Sequence, residues 1–245
     1  MNRVAGFGRF GLFLGAFLRA SFTHPPPIRA SLEEAYSIGV RSLPILLTIS
    51  VFVGTNLAVQ GYNAFLPLGG QRLVGMFVAL AGVRELAPIM VAAMVAAKAG
   101  TEMASQIAVM RIRQQIDALE VMSIDPYWFL VTPRLLGIIL VLPALTILSV
   151  FTLVGASWLV AIFQLGLSGH DFLAYAQTTA HVIDLWYCMI KAFVFGITIC
   201  LVSCYYGFTC SPGPAGVGSA TNAAVVSSAV ICAGANYFLS RWLYG

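Results

Sequence analysis

Arg84 and Glu85 stand side by side in sequence that is otherwise apolar from Leu73 to Ala97, and Pro88 follows close behind. A guanidinium can grip a phosphate or carboxylate through two parallel hydrogen bonds, and a carboxylate can pair with a cation or form part of an ion site. An ionisable group near a bilayer centre costs about 2.5–3.5 kcal/mol on insertion scales, so such groups face a bundle interior or a wet cavity and mark function. On a helix, neighbours point about 100° apart, so Arg84 and Glu85 cannot simply satisfy each other. Pro88 has no N–H to give the carbonyl of Arg84, four residues back, and a kinked polar notch is expected there.

Other residue types offer less. His170-Asp171 and His181-x-x-Asp184 could suggest a metal or a general base, yet no third His or Cys ligand is near them in sequence, and no metal site is expected. The five cysteines, Cys188, Cys200, Cys204, Cys210 and Cys232, form no Cys-x-x-Cys pair and read as small apolar residues. No Gly-x-Ser-x-Gly elbow, His-Glu-x-x-His or Walker A sequence is present, so the chain is not expected to be an enzyme or to hydrolyse ATP by itself.

The elements that position Arg84 and Glu85 must be membrane helices. With 60% hydrophobic residues, 9% charged residues and a mean hydropathy of +0.91 over 245 residues, the chain reads as one all-α polytopic membrane domain. Its net charge of +4 is too small and dispersed for nucleic acid. Crossing a hydrocarbon core takes about 20 apolar residues. Five segments qualify: Arg41 to about Tyr62, Leu73 to Ala97, Leu135 to about Leu165, and two within Ala192 to Ser240, divided by Ser211-Pro212-Gly213-Pro214-Ala215-Gly216. Arg3, Arg9, Arg19, Arg29 and Arg41 precede the first span, and Lys98, Arg111, Arg113 and Arg134 lie between the second and third. The positive-inside rule then places the N-terminus and the 98 to 134 connection in the cytoplasm and the C-terminus outside.

Two further helices are expected on the cytoplasmic side. Phe7, Phe10, Phe13, Leu14 and Phe17 share a face opposite Gly8, Arg9, Gly11, Gly15 and Arg19, which predicts an interfacial helix over 1–24 rather than a cleaved signal peptide. Pro25-Pro26-Pro27 ends it, and Ser31-Leu32-Glu33-Glu34 has the spacing of a capping box. From Thr101 to Asp125, Ile112, Ile116, Leu119 and Met122 line one face while Gln106, Arg113, Asp117 and Glu120 follow another, with Arg113 and Asp117 at i,i+4 spacing. Pro126 should stop this helix, and Thr132-Pro133 should supply the N-cap and first residue of the next. Such a helix is either a solvated surface element or a docking helix for a cytoplasmic partner. In the second case Arg111, Arg113, Asp117 and Glu120 are the candidate coupling residues.

Four motifs occur in order: Val59-Gln60-Gly61-Tyr62, Arg84-Glu85-Leu86-Ala87-Pro88, Gln115-Ile116-Asp117-Ala118-Leu119-Glu120-Val121-Met122, and Gly216-Val217-Gly218-Ser219-Ala220-Thr221 running on to Val225-Val226-Ser227-Ser228. Together they make the chain resemble the MlaE/YrbE-type permeases of ABC lipid transporters that work with MCE-domain proteins, over a domain spanning 31–245. The resemblance implies five transmembrane helices after the interfacial helix, a homodimer enclosing an outward-facing lipid cavity, and residence in a bacterial inner membrane. It also implies a cytoplasmic ABC ATPase dimer that holds ATP and Mg, a periplasmic MCE hexamer, and no cofactor in this chain. Helix 101 to 125 would be the coupling helix. Arg84 would meet an anionic phospholipid head group, Glu85 would orient Arg84 of a second subunit or gate the cavity, and Leu57, Gln60, Phe65 and Leu68 would line it. Lys98, Gln106 and Asn236 depart from the family pattern, where Arg, Glu and Asp are common.

The expected function is therefore the permease subunit that moves phospholipid or a related lipid between the inner membrane and an MCE protein. A secondary transporter or channel using Arg84 and Glu85 is the alternative, though it would usually show an internal repeat and would need no docking helix. A lipid-modifying enzyme would need a convergent nucleophile and base, and no recognisable set occurs.

Overall fold

The computed structural model describes residues 2–23 and 27–244, with side chains from 8 to 21 and from 27 onward. Every regular element among them is helical, in chain order α1 (Asn2–Thr23), α2 (Ile28–Phe65), α3 (Gln71–Ile112), α4 (Gln115–Val121), α5 (Pro126–Phe163), α6 (Gly169–Thr179), α7 (Val182–Phe208) and α8 (Pro214–Tyr244). Helices satisfy their own backbone groups, which a lipid-embedded segment must do. Five of them, α2, α3, α5, α7 and α8, are long and apolar enough to cross a membrane.

These helices outrun the charge-free stretches that mark the spans. α2 begins at Ile28 rather than at the expected capping box; Ser31 is already inside the first turn, where its N–H and Oγ both donate to the Pro27 carbonyl at 3.0 and 2.9 Å. The expected stop at Pro126 is instead a start. The Asp125 carboxylate accepts from the N–H groups of Tyr127 and Trp128 at 2.9 and 3.4 Å, so Asp125 is the N-cap and Pro126 opens α5, which runs on through Thr132-Pro133. The helix expected from Thr101 to Asp125 is two helices. α3 ends at Ile112, Gln114 takes a left-handed φ of 57°, and α4 runs only from Gln115 to Val121. The break brings Arg111, not Arg113, onto Asp117, at 2.8 Å.

The chain divides into two compact units, one of Met1–Gly39, Val95–Val141 and Phe195–Cys232, the other of Val40–Met94, Leu142–Val194 and Ala233–Gly245. In the first, α1 turns Phe13 and Phe17 inward and leaves Gly8, Arg9, Gly11, Gly15 and Arg19 exposed, as its pattern predicts. The Phe13 ring sits 5.6 to 5.8 Å from those of Tyr127, Tyr205 and Phe208. Phe7 and Arg3, assigned to the same helix, lie outside the described side chains. Ile116 of α4 is buried at 2% exposure, while Met122, expected on its face, is 67% exposed beyond the helix end.

The second unit has an apolar core of Leu57, Val74, Val78, Val83, Val150, Leu153 and Phe172. Small residues let its backbones meet. A Cβ at Gly54 would collide with the Leu153 carbonyl, and one at Gly61 would come within 2.8 Å of the Phe77 ring. Hydroxyls close the seam: Ser157 donates to the Gly54 carbonyl at 2.7 Å, and Ser50 and Ser149 share a hydrogen bond of 2.8 Å.

Candidate functional site

The candidate site lies wholly in the second unit, where α3 is wound as π-helix from Val78 to Leu86. A π turn pairs each carbonyl with the N–H five residues on, and such turns recur at functional sites. Here the Ala87 N–H reaches back to the Gly82 carbonyl. Val83 would need the N–H of residue 88 in the same pattern, and Arg84 would need it in an α pattern, but residue 88 is proline. Two carbonyls are thus released from the helix. Both are taken by α7: Cys188 Sγ donates to the Val83 carbonyl at 3.0 Å and Lys191 Nζ to the Arg84 carbonyl at 2.7 Å. The carbonyls left without a helical donor ahead of Pro88 are met by side chains of another helix.

Arg84 and Glu85 take different partners, as their angular separation requires. Arg84 Nε lies 3.1 Å from Asp184 Oδ1, and Nη2 donates to Asp184 Oδ2 at 3.1 Å and to the Thr179 carbonyl at 3.0 Å. The guanidinium also lies over the Tyr244 ring, 5.0 Å from its centroid. Asp184 is 2% exposed and accepts from the His181 N–H at 2.9 Å at the start of α7, which fixes the carboxylate that fixes Arg84. One quarter of the Arg84 side chain remains exposed.

Seven residues further along α7, the fully buried Lys191 spends its three ammonium protons on the Arg84 carbonyl, Glu85 Oε1 at 3.2 Å and Ser240 Oγ at 2.7 Å. Glu85 Oε2 in turn accepts from Asn236 Nδ2 at 2.8 Å and Ser240 Oγ at 3.0 Å. The departure at Asn236 has a local reason in this contact, because an amide can donate to Glu85 whereas an ionised aspartate would set a second anion beside it.

Of the other residues singled out from sequence, Leu57 is buried in the core, and the Phe65 ring packs edge-on against Phe77 at 6.2 Å. Gln60 and Leu68 are exposed, Leu68 at 79%. In the first unit, Arg111, Arg113, Asp117 and Glu120 are all exposed around the Gln114 break. The structure makes Asp184, by sequence a metal or base candidate with His181, the partner of Arg84, and it makes Lys191 the partner of Glu85. Asp171 is bound to Arg72 at 3.5 Å. Asn236, Ser240 and Tyr244 were also missed as a set. Their spacing of four residues each, like the seven between Asp184 and Lys191, places them on single helix faces, and that periodicity was the available signal.

Five long apolar helices carrying a cluster of mutually paired charges define a multi-pass α-helical membrane protein. Residues 31–242 match the model of the family described as Permease MlaE, and the chain belongs to that family. It is 34% identical to a probable ABC transporter permease protein of Rickettsia typhi over 97% of this chain and 92% of the relative. A probable ABC transporter permease protein of Synechocystis is also 34% identical, over 88% of this chain and 81% of the relative. The intermembrane phospholipid transport system permease protein MlaE of Haemophilus influenzae is 28% identical, over 98% of this chain and 91% of its own length. The chain is an ABC transporter permease.

Proposed function

We propose that this permease moves phospholipid or a related lipid between a bacterial inner membrane and a periplasmic MCE protein, with Arg84 meeting the anionic head group. The observation that carries the reading is a guanidinium on a long apolar helix, one edge of which is held by Asp184 while a quarter of its side chain stays exposed. Holding one edge presets the direction of the rest, so an incoming phosphate meets an oriented donor. The phospholipid transport named for the Haemophilus relative supports the substrate class. Glu85, 41% exposed, belongs to the same proposed site. Leu57, Gln60, Phe65 and Leu68 belong to the proposed lipid path.

In this reading two copies of the chain enclose the cavity, and a cytoplasmic ABC ATPase dimer carrying ATP and Mg docks at the end of α3 and at α4 through Arg111, Arg113, Asp117 and Glu120. An MCE hexamer receives the lipid on the periplasmic side. The N-terminus is cytoplasmic, with α1 on the inner leaflet, and the C-terminus is periplasmic.

Replacing Arg84 alone would strand the buried Asp184, so the test is the double variant Arg84→Ala/Asp184→Ala, which removes both charges. It should assemble normally yet lose photocrosslinking to a phospholipid probe. Retained crosslinking would take Arg84 out of the site. Lipid movement by the permease without any ATPase would instead favour a secondary transporter.

A further inference from the structure

One polar cluster, built on a buried arginine, is unused by the lipid site. Arg134, near the start of α5, is 6% exposed. Its Nη2 donates to Gln106 Oε1 of α3 at 2.8 Å, and its Nε lies 3.6 Å from Glu34 Oε1 of α2. Gln106 passes the contact on, donating to Glu102 Oε1 at 3.3 Å. One planar guanidinium thereby joins three membrane-crossing helices within the first unit. On α3 it does so just ahead of the Gln114 break and α4. The surrounding packing is stiff. One turn beyond Arg134, a Cβ on Gly137 would lie 3.0 Å from the Ala35 nitrogen and 3.2 Å from the Ser31 carbonyl, so α2 and α5 meet there backbone to backbone.

We propose that Arg134 is the positioning residue that delivers displacement of the α3 terminus to α2 and α5. This rests on α4 being the ATPase-docking segment. A fork of fixed donors suits the task, because moving α3 must either drag Arg134 along or leave a buried charge without its acceptors. The Gln106 acceptor is neutral, and Glu34 supplies a counter-charge.

The test uses the assembled transporter in proteoliposomes and reads lipid moved per ATP hydrolysed. Arg134→Met should retain the ATPase and its hydrolysis but lower that ratio at least tenfold, and Arg134→Lys should restore part of it. An unchanged ratio in Arg134→Met overturns the proposal. If Arg134→Met does not assemble, Gln106→Ala, which leaves Arg134 with Glu34, must lower the ratio in the same direction; no change there overturns it equally. A cysteine introduced by Glu120→Cys in the otherwise native complex separates the two readings. If it fails to crosslink to the ATPase, the docking reading falls and this inference with it; if it crosslinks while Arg134→Met transports normally, only this inference falls.

Discussion

Lys191 shows how a buried charge is made tolerable among apolar helices. Its three donors meet three oxygens, one of them a carbonyl that Pro88 deprives of its helical partner. Lys191→Met should therefore do more than delete an ion pair, since Glu85 loses its cation and the Arg84 carbonyl loses its donor. Breaking a buried pair from one side costs about 3–5 kcal/mol. Glu85 is part-exposed and keeps Asn236 and Ser240, so the lower end applies, about 3 kcal/mol. Thermal unfolding of the detergent-solubilised permease should register the loss, and adding Glu85→Gln should recover part of it. If Lys191→Met melts like the native protein, the cluster does not hold α3 to α7.

At the scale of elements, a few backbone irregularities place the candidate residues. The π turn in α3 frees the carbonyls that bind α7, and the left-handed Gln114 turns α4 away from the α3 direction. A left-handed residue other than glycine costs about 1–2 kcal/mol, and a β-branched side chain fits that conformation worst. Gln114→Gly should therefore keep the bend and retain the ATPase on co-purification. Gln114→Ile should weaken retention, since the break must shift or strain. Equal retention by the two variants would mean that docking does not need the bend.

For the whole molecule, the proposed orientation separates the α7–α8 turn from the end of α8. Ser211 and Trp242 are both exposed, so each accepts a cysteine probe without disturbing a core. In a background lacking the native cysteines, a membrane-impermeant thiol reagent added from the periplasm should label Trp242→Cys and not Ser211→Cys. The opposite pattern would invert the topology and move α4 away from any cytoplasmic ATPase.

The helical membrane class, the number of long apolar helices and the apolar face of α1 were all legible in the sequence, because hydropathy and a 3.6-residue period are local properties. So was the anomaly at Arg84, Glu85 and Pro88, since a charge and a missing N–H inside apolar sequence demand partners wherever the chain goes. Which partners answer was decided only by tertiary packing. Asp184 and Lys191 lie about a hundred residues from Arg84 and Glu85, and two turns of α7 match them to neighbouring residues of α3. Helix ends were also misread where the deciding interaction was a cap or an unusual turn. Asp125 needed its carboxylate seen on the N–H groups of Tyr127 and Trp128, and the Gln114 break has no glycine or proline to announce it. Patterns report which face of a helix is apolar; only the packed chain brings each stranded donor and acceptor to the group that satisfies it.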